Sequence, residues 1–354
     1  MEELRSSSEP QSVLRRGTQR GYADLRPGVL VRTLARWLSA VGLAGSALLS
    51  ASTASADPSD LPPETGFDYG DVETPRTAAM GGALRAFSSS TESIYINPGN
   101  MAASRVYHIG ALAALWPEAS RQTYGAAAVD SVGSRTQLAG GLAFAFNRQD
   151  PDGVDRQWND LRFALAFPFS QQFQLGMAGR VMWMKENGDG PLGNDAVAAG
   201  LPDENIVRDF TFDAGMSFRP TPEFAVSLVG NSLTNPDHGY LPSRLGGGIG
   251  YGTPDFTLEG DLVADFTTWQ RTTVLAMGGF EYLAGNVVPL RVGYRYDEGP
   301  ATHWISAGLG YVDQQVSAEI SARRSVAGEK ATAVIIGFKY HLESAGAGIS
   351  GGFD

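Results

Sequence analysis

Residues 331–342 read Ala-Thr-Ala-Val-Ile-Ile-Gly-Phe-Lys-Tyr-His-Leu. In an extended chain Val334, Ile336, Phe338, Tyr340 and Leu342 share one face, and Ala333, Gly337, Lys339 and His341 share the other, because successive strand side chains point to opposite sides. One face is greasy; the other is small or charged. Working outward, the pattern recurs at Phe256, Leu258, Leu262, Ala264 and Phe266, separated by Thr257, Glu259, Asp261 and Asp265. It recurs again at Leu290, Val292, Tyr294 and Tyr296, which alternate with Arg291, Gly293 and Arg295. A soluble sandwich would alternate in the same way, so the choice between sandwich and membrane barrel needs other signals.

Three signals favour the barrel. Pooled over all segments, the polar face carries both signs, with Arg162, Arg180, Asp213, Glu259, Asp261, Arg291, Arg295, Glu319 and Lys339 as candidate lumen-lining charges. Aromatics such as Tyr107, Phe146, Phe167, Trp183, Phe280, Tyr282, Trp304, Tyr311 and Tyr340 fall near segment ends, as interfacial girdles require. Gly and Ala fill many remaining sites, which suits tightly curved strands. After Asp57 no uncharged apolar run approaches the length of a membrane helix.

The segments lie near 105–115, 121–130, 136–146, 158–167, 172–184, 207–218, 223–231, 243–251, 255–266, 272–282, 287–296, 302–311, 314–323 and 331–342. They predict an all-β fold, a transmembrane antiparallel barrel of about fourteen strands. An even number returns both ends of the barrel to one side. Brief turns after even-numbered segments (168–171, 219–222, 252–254 and 284–286) contrast with the odd-numbered loops 147–157, 185–206 and 232–242. On that basis the termini are expected in the periplasm.

Composition sets the excluded classes. The 354 residues include 44 Gly and no Cys, and only 18% are charged, with a formal charge of -11. Without Cys there is no disulfide framework, thiolate metal site or lipid-modified N-terminal Cys. Residues 1–56 hold seven Arg against three Glu and one Asp, so the remainder carries -14. Such acidity disfavours nucleic acid. The uncharged run 37–56 follows Arg32 and Arg36 and ends in Ala54-Ser55-Ala56, an A-x-A pattern, so residues 1–56 read as a signal peptide with an over-long start.

Residues 57–104 do not alternate and are read as an N-terminal plug ahead of a barrel at 105–342, with a periplasmic tail at 343–354. Within the plug, Met80-Gly81-Gly82-Ala83 is followed by a polar stretch and then by Asn97-Pro98-Gly99-Asn100-Met101. Asn97 can cap a short helix whose first turn holds Pro98. This order, followed by about fourteen strands, resembles the FadL-type long-chain fatty-acid transporters and the PorV-like outer-membrane proteins related to them. In those barrels a hatch carrying an Asn-Pro-Ala motif sits inside the lumen; here Gly99 stands where the motif has Ala. Gly230-Asn231-Ser232-Leu233 with Leu241–Gly246 is similar to the family's central hairpin.

The resemblance implies an outer-membrane protein passing hydrophobic, fatty-acid-like or aromatic molecules through a plugged barrel. Met80, Phe87, Asn97, Pro98, Gly99 and Met101 are then the candidate ligand and gate residues. Met80, Phe87 and Met101 could equally pack the plug against the wall. The alternative is a PorV-like barrel that docks exported or secretion-system proteins and transports nothing. Membrane lipids and a hydrophobic ligand are the expected partners. Enzymatic motifs are absent, the four His residues stand apart in sequence, and no cofactor or metal is implied. Asp150, Asp152 and Asp155 around Gly153 resemble a fragment of a calcium loop, but a solvated outer turn explains them better.

Overall fold

A computed structural model describes residues 71–149, 155–187, 207–236, 240–269, 271–328 and 330–345. The leader 1–56, Asp150 and Asp152, and most of the tail lie outside these residues. Fourteen antiparallel strands close into one barrel in chain order, the last pairing with the first. They are β1 Arg105–Trp116, β2 Arg121–Asp130, β3 Ala139–Gln149, β4 Asp155–Pro168, β5 Phe173–Asn187, β6 Val207–Phe218 and β7 Phe224–Asn231. The second half comprises β8 Arg244–Gly252, β9 Phe256–Asp265, β10 Thr273–Ala284, β11 Val288–Asp297, β12 Thr302–Val312, β13 Val316–Ala327 and β14 Thr332–Ala345.

Closure pairs Arg105 with Ala345, so both ends of the barrel lie at one rim, here the terminal rim. At the opposite, loop rim β5 ends and β6 begins, and β7 and β8 end and begin likewise. Length alternation is incomplete, because 131–138 is long at the terminal rim and 117–120 is brief at the loop rim. Several boundaries move from their expected places, among them the ends of β5 at Asn187 and β13 at Ala327. Residues 147–149 and 155–157 are strand rather than loop, and β14 extends through Ala345 into the expected tail.

The outer face is what a lipid solvent selects. Leu262 is 63% exposed, Leu142 57% and Val292 55%, and the other strands present Phe, Ile, Leu and Tyr in the same way. A water-soluble protein rarely exposes so continuous an apolar surface. Each strand's alternate residues turn inward and are buried, including all nine charges read as lumen-lining apart from the half-buried Lys339. Trp304 departs from the girdle expectation. It points inward, 4% exposed, beneath the Arg323 guanidinium at 4.9 Å, because Ile305, Leu309 and Tyr311 already hold the outer positions of β12.

Candidate functional site: the occupied lumen

Residues 71–104 fill the lumen as short turns. A helix at Pro75–Ala79 begins under the Thr74 side chain, with Pro75 in its first turn. A 3-10 turn at Ser90–Glu92 leads into a helix at Ser93–Ile96, and a second 3-10 turn spans Pro98–Ala102. Elements this short are marginal alone, so their stability derives from the wall.

Every charged residue of this segment faces an opposite charge on the wall. Asp71 meets Arg244 at 2.8 Å, Glu73 meets Arg323 at 2.8 Å and Arg295 at 3.6 Å, and Arg76 meets Glu281 at 2.8 Å. Arg85 meets Asp261 at 3.0 Å, and Glu92 meets Lys339 at 2.6 Å. Arg76 enters a longer chain, since Arg291 bonds to Glu281 and reaches Glu319 at 3.0 Å. Burial disfavours the Arg76 cation, yet Glu281, with Glu92 and Glu319, outweighs this and holds its pKa above the usual guanidinium value. On the far side of the lumen Asp160 joins Arg162 at 3.0 Å and Arg180 at 2.6 Å. Tyr95 lies under Arg162, 5.0 Å from ring centroid to guanidinium, and burial pushes its phenol pKa up.

Backbone groups are anchored as well. After the turn at Gly81 and Gly82, both with positive φ, the chain offers four successive N–H groups to β9. Leu84 and Arg85 donate to the Asp261 carboxylate, both at 3.1 Å, and Ala86 and Phe87 donate to Glu259 at 2.5 and 3.0 Å. Two lumen acids thus substitute for a strand partner.

Asn97 and Asn100 fasten the terminal-rim end. Asn97 Oδ1 accepts the Gly99 N–H at 3.1 Å, while its amide donates to the Arg85 carbonyl at 2.7 Å and to Ser217 Oγ at 2.9 Å. Ser217 in turn donates to Asn100 Oδ1 at 2.7 Å. Pro98 and Gly99 rest on Gly176 and Gly215, where an added Cβ would come within 2.5 Å of Pro98 C and 2.1 Å of Asn97 Oδ1. Replacing Asn97 by Ala should therefore cost about 1–3 kcal/mol through the partners left unsatisfied, read as a lower unfolding midpoint in detergent. Unchanged stability would show that the bracket is dispensable.

Met80, Phe87 and Met101 pack between segment and wall. Met80 is fully buried against Gly279, Phe87 lies on Ala225 under Arg219 at 5.2 Å, and Met101 joins Ile94, Ala139, Ala143 and Ala145. None of them lines the lumen cavity, a space of about 60 Å³ bounded by Arg162, Arg180, Asp213, Arg244 and Arg295. The His residues are not all apart, since His108 and His341 stack with centroids 4.2 Å apart and Ser90 bonds the first at 2.7 Å.

One apolar site escaped the sequence reading. Near the loop rim Trp158, Met182 and Met184 turn inward and pack with Tyr240 and Leu241 of the connection 232–243, all buried. Beside them Arg121 lies between the rings of Trp116 and Trp158, 4.2 and 5.0 Å from their centroids. The available signal was Met182 and Met184 at inward positions of β5.

No family model matches the chain, and no curated protein does. Among solved structures, the CymD monoaromatic hydrocarbon channel aligns with TM-score 0.61 at 13% identity, over 78% of this chain and 99% of its own. The Ralstonia pickettii toluene transporter TbuX aligns with TM-score 0.58 at 11% identity, over 78% and 100%. A Pseudomonas aeruginosa FadL homologue gives 0.56 at 14%, again over 78% and 100%. In fold the chain is a FadL-type barrel.

Proposed function

We propose that the chain is an outer-membrane protein that passes hydrophobic small molecules, aromatic or fatty-acid-like, with the loop rim outside and both barrel ends in the periplasm. The leader read in residues 1–56 would deliver it there. The observation that carries this reading is the apolar cluster Trp158, Met182, Met184, Tyr240 and Leu241 at the loop-rim end of the lumen. These side chains are packed against one another, so an apolar molecule would gain free energy here by displacing Tyr240 and Leu241 from Trp158, Met182 and Met184. Below it the segment 71–104 blocks the path, so passage requires a rearrangement at the polar bracket around Asn97. Solved barrels of the same fold are named as a toluene transporter and a monoaromatic hydrocarbon channel, which agrees in ligand class.

The test is uptake of labelled toluene and of a labelled long-chain fatty acid by cells with and without the protein. Met184→Asp should lower the initial rate about tenfold, which corresponds to roughly 1.4 kcal/mol. Uptake that is the same in deletion and parent cells would sink the transport reading. A second reading, a docking barrel for exported proteins, is favoured by the small, charged lumen cavity. It predicts an exported partner that co-purifies with the barrel and unaltered uptake.

A further inference from the structure

The lumen chamber of about 60 Å³ is lined by more than the charges that bound it. Tyr95 of the inner segment and Ser232, directly after β7, line it too. Tyr95 is 7% exposed and Ser232 1%, and neither hydroxyl has a hydrogen-bond partner among the described residues. Arg85 also lines the chamber, and its Nε–H is buried without a partner as well. Polar groups buried in this way are costly unless water or an ion meets them.

The two hydroxyl residues converge on one pair of guanidiniums. Arg162 and Arg180 stand opposite each other on β4 and β5 and share the Asp160 carboxylate, at 3.0 and 2.6 Å. Tyr95 lies under Arg162, 5.0 Å from ring centroid to guanidinium. Asp213 is 3.9 Å from Arg162 and accepts the Ser232 N–H at 2.8 Å, which brings Ser232 to the same place. Guanidinium and Nε–H groups only donate, and burial pushes the Tyr95 pKa up, so its phenol keeps its proton. Among the described lining side chains five Arg stand against three acids, Asp71, Glu73 and Asp213. An occupant that accepts hydrogen bonds and carries negative charge fits this set. An ordered water takes roughly 10–15 Å³ of such space. The chamber therefore admits a monatomic anion with a few waters and no bulky organic cargo.

We propose that the chamber binds one chloride-sized anion, held by the Tyr95 and Ser232 hydroxyls and the Arg162–Arg180 pair. Tyr95 belongs to the inner segment and the other groups to the wall and its connection, so the ion ties segment to wall. Occupancy favours the filled, closed barrel, whatever the barrel carries.

Bromide is the probe, because it replaces chloride and scatters anomalously. Crystals of the full-length protein grown in sodium bromide should show an anomalous peak between the two hydroxyl oxygens and the two guanidiniums. In detergent the unfolding midpoint should rise saturably with bromide at an ionic strength held constant with gluconate, which is too large to enter. Tyr95→Phe and Ser232→Ala each remove one hydroxyl without changing charge, and each should raise the half-saturating bromide concentration about tenfold. Ser321→Ala removes a buried, unpartnered hydroxyl outside the chamber and should leave that concentration unchanged. Heat-modifiable migration on gels reports folding, and should one variant fail to fold, the other carries the measurement. Ordered water where the anomalous peak is expected overturns the proposal. So does a parent midpoint indifferent to bromide, or a folded Tyr95→Phe or Ser232→Ala protein with the half-saturation of the parent.

Discussion

A Glu281→Ala protein is expected to keep its fourteen strands and lose its seal. Glu281 is the acid between Arg76 of the inner segment and Arg291 of β11, and all three side chains are buried. Removing it leaves two like charges with reduced compensation at a buried position. Breaking a buried pair from one side costs about 3–5 kcal/mol. The strand ladders do not depend on Glu281, so this cost falls on the contact between segment and wall. In planar bilayers the variant should conduct ions in frequent openings where the parent is closed, and protease should cleave after Arg76. A variant as closed and as protected as the parent would show that the ion pair does not hold the segment.

Gly293→Leu should act by shape instead of charge. A Cβ at this position would lie 2.2 Å from the Gly81 nitrogen and 2.3 Å from the Met80 carbonyl carbon. Both obstacles are backbone, so no rotamer change relieves the clash. Overpacking a core by flexible side chains costs about 1–3 kcal/mol, and the rigid case should exceed that. The inner segment would have to withdraw from β11, and the expected result is a conductance comparable with that of Glu281→Ala. Gly278→Leu is the control, because nothing lies within 4 Å of its Cβ position. Equal behaviour of the two leucine variants would remove the steric explanation.

The wall was legible in the sequence because lipid and lumen impose opposite demands on alternate residues. Each of the fourteen expected segments overlaps a strand, and Glu259, Asp261, Arg291 and Lys339 face inward as their parity requires. What remained illegible is the pairing of segment with wall. That Arg76 meets Glu281, or that Asp261 receives two backbone N–H groups, depends on the path of a non-repeating chain through three dimensions. No local period encodes that path. The stacking of His108 on His341 has the same origin, since the two are brought together only by pairing the first strand with the last. The mouth cluster was missed for a different reason: Met182 and Met184 break the polar-inward rule, and Leu241 reaches them from a connection.

Pairing of β1 with β14 also orders events in time. The ladder from Arg105↔Ala345 to Leu115↔Val334 joins the extremes of the barrel, so it forms only after the last strand is available and carries a large loop-closure entropy. Residues 71–104 directly precede β1 and so are available before that seam can zip. The unclosed sheet therefore meets its own filling while one side is still open, and Glu92, paired with Lys339 on β14, can draw the final strand towards the first. The segment that fills the finished lumen is thus also the surface against which the last strand, through Lys339 and Glu92, can find its place.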